Sequence, residues 1–210
     1  MLKILIVDDH AIVRKGVKQI LESENDLAII SEAQNGLEAL QMSRDQNWDL
    51  IILDINLPEQ SGLDVLKELH YKYPKLPILI MSMFSEDQYA IRVLKSGASG
   101  YLNKQSVPEE LVKAVKKISA GGKYVSDSMA ELLATNLEPQ HEKSVQDILS
   151  DREYQVLLLI ASGKTVSEIG EKLCLSVKTI STFRARILSK MNLKNNAELT
   201  YFAIHNDLID

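Results

Sequence analysis

The first 120 residues alternate short apolar runs with stretches of helical periodicity. Lys3–Val7, Leu27–Ala33, Leu50–Leu53, Ile78–Met81 and Ala98–Leu102 are the runs, all rich in Ile, Leu, Val or other apolar residues. Continuous apolar segments of this length are what strands buried on both faces of a parallel sheet look like. Between them apolar residues return at helical spacing. Val13, Val17, Ile20 and Leu21 share one helix face, and Leu111, Val112, Val115 and Ile118 share another. Repeated β-α units predict an α/β fold, a doubly wound five-stranded parallel sheet of flavodoxin-like type, with right-handed crossovers. Such a sheet places its site at the carboxyl ends of the strands.

Residues 121–147 break this pattern. Gly121-Gly122 opens the stretch, Pro139 interrupts it, and Ser, Gln, Glu and Asn are frequent. Met129, Leu132 and Leu133 predict one short amphipathic helix inside a linker. From residue 148 to 210 no strand pattern remains. Ser150 with Glu153 and Thr165 with Glu168 have the spacing of capping boxes, and Ser176 and Asn195 stand where two further helices begin. Gly163 falls where the first of these helices should stop. An all-α domain of four short helices is expected.

Charge follows the same boundaries. The chain of 210 residues has a formal net charge of −5. Residues 1–120 carry 14 basic and 17 acidic groups, residues 121–147 carry 2 and 5, and residues 148–210 carry 8 and 7. The mild acidity argues against a polybasic membrane binder, but it conceals a basic stretch. Lys172 to Ala197 contains Lys172, Lys178, Arg184, Arg186, Lys190 and Lys194 and no acid. The single cysteine, Cys174, excludes an intrachain disulfide and is expected to be a small buried apolar side chain. The N-terminal apolar run is too short for a signal peptide, and no apolar stretch has the length of a membrane helix, so a cytoplasmic protein is expected.

The candidate chemistry lies at the predicted strand ends. Asp8-Asp9 follows the first strand and Asp54 the third. In a parallel sheet these ends are neighbours, so three carboxylates crowd together and call for a cation. All-oxygen ligands suit Mg²⁺. Acids also cap strand-to-helix turns as merely solvated groups, and Asp8-Asp9 alone fits that reading as well. Ser82 ends the fourth strand and Lys104 follows the fifth, which brings a hydroxyl and an ammonium to the same edge. A carboxylate flanked by such groups suits phosphorylation, in which they balance the phosphoryl oxygens. His10, next to the acidic pair, is expected to be a polar helix-start residue.

With Asp54-Ile55-Asn56-Leu57-Pro58 and Gly62 in place, residues 1–120 resemble the receiver domain of bacterial two-component response regulators. The resemblance implies that Asp54 accepts phosphate from a sensor histidine kinase. It implies that Asp8, Asp9, Asp54 and the backbone carbonyl of Asn56 hold Mg²⁺. Lys104 would contact the phosphoryl group, Ser82 would hydrogen-bond it, and Tyr101 would change rotamer in response. Leu57 stands where the family often has methionine. A phosphohydrolase using Asp54 as nucleophile is the rival reading. It lacks a general acid two residues on, where Asn56 stands.

In the helical part, Ile180, Ile187 and Met191 point inward on a helical wheel, flanked by Val177, Phe183 and Leu188. Lys178, Thr182, Ala185 and Ser189 point outward, flanked by Ser181 and Arg186. Small polar and basic residues on an outer face suit entry into a DNA major groove. Leu149–Glu153, Gly163–Ile169 and Leu175–Ile180 resemble the LuxR-type helix-turn-helix in order and spacing. The whole chain is therefore similar to response regulators of the NarL/FixJ class. That resemblance implies a regulator rather than an enzyme, with slow self-dephosphorylation, homodimer formation and double-stranded DNA as partner. Base-reading positions fall on Ser181, Thr182 and Ala185, and phosphate-contacting ones near Lys178, Thr179, Arg186 and Lys190. Val166 and Phe183 depart from the family pattern, which has asparagine and histidine or tyrosine there. Leu199, Phe202 and Ala203 on the last helix form either a dimer surface or the closure of the domain core.

Overall fold

The structure, a computed structural model, describes residues 1–24, 28–106, 108–135, 148–206 and 208–209. Leu27 and Pro139 lie outside the described residues. The chain divides into two compact units, Met1–Thr135 and Asn136–Asp210.

The first unit alternates strands and helices. Its strands are β1 (Leu2–Val7), β2 (Ala28–Ala33), β3 (Leu50–Leu53), β4 (Ile78–Ser82) and β5 (Gly100–Asn103). Its helices are α1 (Ala11–Glu22), α2 (Gly36–Asp45), α3 (Gly62–Lys72), α4 (Glu86–Lys95), α5 (Pro108–Ser119) and α6 (Asp127–Thr135). The sheet is parallel with order β2-β1-β3-β4-β5. Strand order reverses between β1 and β3, and an open α/β sheet binds ligands at such a switch point.

β3 and β4 are buried along their whole length and β1 is buried from Ile4 to Val7, so their side chains are apolar on both faces. On one face Ile4, Ile6, Leu50, Ile52, Leu79 and Met81 pack with Val17 and Leu21 of α1 and with Leu111, Ala114, Val115 and Ile118 of α5. The inward face of α5 thus runs through Ala114, while Val112 is only half-buried. A methyl side chain contributes little to a hydrophobic periodicity, which is why the sequence pattern placed Val112 there instead.

The short helix expected in the linker exists as α6, but it belongs to the first unit. Met129 is fully buried, α6 packs on α4, and Tyr124 bridges Gly100 beside β5. The folded first unit therefore runs past residue 120 to Thr135.

The second unit is helical: α7 (Asp151–Ala161), α8 (Val166–Leu173), α9 (Val177–Lys190) and α10 (Asn196–His205). α7 touches each of the other three. Local sequence sets every start. Ser150 and Thr165 each form a capping box with Glu153 and Glu168. Ser176 accepts from Thr179 N–H at 3.1 Å, and Asn195 accepts from Glu198 N–H at 3.0 Å. Gly163, with φ of 81°, follows the end of α7 as expected.

Two expectations fail here. Cys174 is exposed. It is the C-cap of α8 in the left-handed conformation, with φ of 53°, and this turns its side chain away from the core between Leu173 and Leu175. Val177, expected to flank the inner face of α9, is 53% exposed. It is the first residue of that helix.

Candidate phosphoacceptor and nucleic-acid sites

β1 and β3 are paired so that Val7 lies opposite Leu53. The next residues, Asp8 and Asp54, therefore emerge side by side. Backbone hydrogen bonds hold both in place: Asp54 N–H donates to Val7 O at 2.9 Å, and Asp8 N–H donates to Ala33 O at 3.2 Å. Each side chain is 1% exposed. Gly62 completes the floor of the site. A Cβ at this position would lie 1.9 Å from the Asp54 carbonyl oxygen, so no other residue fits without moving the turn after β3.

Lys104 enters from the end of β5, where its N–H donates to Ser82 O at 2.8 Å. Its ammonium lies 2.7 Å from Asp54 Oδ2 and 2.6 Å from Asp8 Oδ2. One cation thus serves two buried carboxylates. Asp54 Oδ1 is buried and has no hydrogen-bond partner. Such an oxygen costs about 1–3 kcal/mol, or more when charged.

The electrostatics follow. Burial pushes the Asp54 carboxyl up from 3.8 to about 6; the Lys104 charge opposes this and the Asp8 charge adds to it. Asp54 is therefore mostly ionised at neutral pH yet more basic than an ordinary aspartate. Burial pulls the Lys104 ammonium down, but the Asp54 and Asp8 carboxylates outweigh it and hold its pKa above the usual value. Burial pushes the Tyr101 phenol up, and its O–H donates to Phe84 O at 2.7 Å. Ser82, fully buried, accepts from Phe84 N–H at 3.3 Å.

Asp9 and His10 close the open side. His10 Nδ1 lies 2.6 Å from Asp9 Oδ1 and 3.2 Å from Asp8 Oδ1. His10 stands at the N-cap position of α1, but its side chain makes no cap hydrogen bond and lies against the two carboxylates instead. Ligand atoms of Asp8, Asp9, His10 and Asp54 all fall within 4.8 Å of one another. The donors are chiefly carboxylate oxygens, one of them unpartnered, and this set fits a hard divalent cation. Asn56 is half-buried just beyond Asp54, and its N–H pulls the Asp54 pKa down.

On α9 the outer face is as expected. Lys178, Ser181, Thr182, Ala185, Arg186 and Ser189 are exposed, while Ile180 and Ile187 are fully buried. Thr179 is half-buried and its hydroxyl lies 2.8 Å from that of Ser176, so it shares in the cap of α9. Arg184 donates from Nε to Asn196 Oδ1 at 2.5 Å, tying α9 to α10. Lys190 differs from the rest of the basic set. Its ammonium lies 2.6 Å from Glu153 Oε2, on a side chain only 4% exposed. Burial pushes the Glu153 carboxyl up, but the Lys190 and Ser150 donors outweigh it and hold the pKa below the ordinary value. Glu153 was legible as a capping residue but not as a partner of Lys190, because the pair spans 37 positions.

On α10, Leu199 and Ala203 are fully buried and Phe202 is half-buried, in a helix packed on α7. That face closes the helical core. The large apolar side chains α10 exposes are Tyr201 and Ile204.

An α/β unit with a basic, buried carboxylate at its switch point is joined to a helical unit with an exposed basic helix, which is the construction of a two-domain regulator that reads nucleic acid. Residues 4–116 match the response regulator receiver domain family, and residues 147–203 match the bacterial regulatory proteins of the luxR family. The chain belongs to the two-component response regulators of the NarL/FixJ class, with a receiver domain and a LuxR-type DNA-binding domain. This is a family of non-enzymatic transcription regulators. The chain is 34% identical over 211 residues to the response regulator GacA of Pseudomonas aeruginosa, covering 100% of this chain and 99% of GacA. It is 34% identical over 209 residues to UvrY of Escherichia coli K12, covering 99% and 96%. Among solved structures, a Salmonella typhimurium RcsB response regulator matches with 26% identity, covering 96% of this chain and 98% of that one, with a TM-score of 0.62. An RcsB–DNA complex matches with 25% identity, covering 100% and 99%, with a TM-score of 0.59. Among the described residues no helix is long and apolar enough to cross a membrane.

Proposed function

We propose that Asp54 is the phosphoacceptor of this regulator and that a sensor histidine kinase supplies the phosphoryl group. The observation that carries the reading is the Asp54 carboxylate itself. It is buried, with Lys104 on one oxygen and no hydrogen-bond partner on the other. In the transfer, an Asp54 oxygen bonds to phosphorus as the phosphorus–nitrogen bond of the donor histidine breaks, and the imidazole departs with the electron pair. Lys104 stays beside the new acyl phosphate and balances its charge. Ser82 turns its hydroxyl to a phosphoryl oxygen, and Tyr101 changes rotamer. Asp8, Asp9, Asp54 and the Asn56 carbonyl would hold Mg²⁺, which when bound neutralises phosphoryl oxygens. Self-dephosphorylation of the acyl phosphate is expected to be slow.

The output is double-stranded DNA. Lys178, Thr179, Arg186 and Lys190 are assigned to phosphates, and Ser181, Thr182 and Ala185 to base edges, of a site bound by a homodimer in the cytoplasm. Residues 1–120 serve as receiver, 121–147 as linker and 148–210 as DNA reader, with the linker's first half folded onto the receiver. The test is incubation with acetyl phosphate and Mg²⁺, followed by intact mass. One added phosphate is expected, and Asp54→Ala should gain none; a phosphorylated Asp54→Ala protein would refute the assignment.

A further inference from the structure

We propose that Glu86 is a latch that holds linker helix α6 on the receiver and that occupation of the Asp54 site opens it. This rests on the reading of Asp54 as phosphoacceptor and adds the route by which the site reaches the linker.

Glu86 is the first residue of α4. Its Oε2 accepts from Ser126 Oγ and from Ser128 Oγ, both at 2.5 Å. Ser126 also accepts from Met129 N–H at 3.2 Å, and Met129 is fully buried. One carboxylate therefore lies at the amino ends of two helices, α4 and α6, where both helix dipoles favour negative charge. Charge-assisted hydrogen bonds of this kind are among the stronger ones in proteins. Removal of that carboxylate from Ser126 and Ser128 takes away the polar anchor at the amino end of α6.

Glu86 is coupled to the site through the three residues before it. Phe84 N–H is held by Ser82, and Phe84 O accepts from Tyr101 O–H at 2.7 Å and from Asn103 Nδ2 at 3.1 Å. The Phe84 ring stacks on Tyr89 of α4 at 4.7 Å. Ser82 and Tyr101, to which the proposed function gives the response to a phosphoryl group, thus both grip Phe84, two residues before Glu86. Moving them moves the start of α4 and the carboxylate it carries. α6 is the last described element before residues 136–147, which lead to the helical unit. Its release adds the α6 segment to the chain that connects the two units.

The test is amide hydrogen exchange on the full chain, with and without beryllofluoride and Mg²⁺, for wild type, Ser126→Ala/Ser128→Ala and Glu86→Gln. Beryllofluoride should alter exchange across residues 82–89 and speed it roughly tenfold or more at Met129–Ala134, on the scale of one or two lost charge-assisted hydrogen bonds. The double variant and Glu86→Gln should exchange fast at Met129–Ala134 without beryllofluoride, and beryllofluoride should add little. If residues 82–89 respond and α6 exchange is unchanged, the latch is refuted while the phosphoacceptor reading stands. If neither segment responds, the phosphoacceptor reading fails and the latch falls with it.

Discussion

Lys104 Nζ bridges Asp8 and Asp54, at 2.6 and 2.7 Å, in a cluster almost closed to solvent. The ammonium is what allows two carboxylates to share a strand edge. Lys104→Met should lower stability by about 3 kcal/mol, the usual cost of stripping a buried charge of its partner. Urea unfolding without metal measures this, and millimolar Mg²⁺ should restore part of the loss by mass action. Unchanged stability would mean that the cluster does not depend on Lys104.

The Asp54 carboxyl, raised from 3.8 to about 6, sets a pH dependence. A raised acid binds its proton more tightly in the folded state, so its contribution to stability is full below about pH 4 and is lost as pH rises through about 6. The metal-free protein should therefore gain stability on going from pH 7 to pH 5 relative to Asp54→Asn, by on the order of 1 kcal/mol. Mg²⁺ competes with that proton, so its stabilising effect should fade over the same window. Identical pH profiles for the two proteins would contradict the raised value.

The basic residues of α9 should separate by experiment. Lys178→Ala should leave the melting temperature unchanged and reduce the salt slope of duplex binding by about one. Lys190→Ala should also weaken binding, but it leaves the buried Glu153 carboxylate with only its Ser150 donors and should cost about 1 kcal/mol of stability. The lowered Glu153 pKa gives stability that is present above its ordinary value and lost as pH falls, so wild type and Lys190→Ala should converge in acid. Thermal unfolding with binding titrations at several salt concentrations distinguishes the two residues. A Lys190→Ala variant of full stability would show that the pair is not structural.

Gly62→Ala places a methyl group 1.9 Å from the Asp54 carbonyl oxygen. The turn after β3 must move, and the expected loss is more than about 3 kcal/mol together with loss of phosphorylation by acetyl phosphate. Circular dichroism melts and intact mass report the two effects. A stable, phosphorylated variant would show that the turn yields freely.

Strand ends, helix starts and the acidic site were legible because each depends on a short stretch of sequence. Asp8, Asp54, Ser82 and Lys104 all follow from locating the strand ends. Ser150 and Thr165 announce their helices within one turn. What escaped depends on distant partners. Met129 marked an amphipathic helix, but nothing nearby in sequence says that α4 receives it. Leu199 and Ala203 showed an apolar face without saying that α7, rather than a second copy, covers it. Cys174 looked buried because its neighbours Leu173 and Leu175 are apolar, and a left-handed C-cap overrode that pattern.

The strand order also has a bearing on how the protein is made. β1 sits in the middle of the sheet, and Ile4 finds its neighbour Leu50 only after the intervening chain has been synthesised. β5 closes the edge later still. Pairings between such distant residues form slowly, whereas capped helices assembled from neighbouring segments form fast. On the ribosome the slow module emerges first and the fast one last. The receiver thus gains folding time while the helical unit is still being translated, and its exposed strands are exposed for less of the finished chain's life.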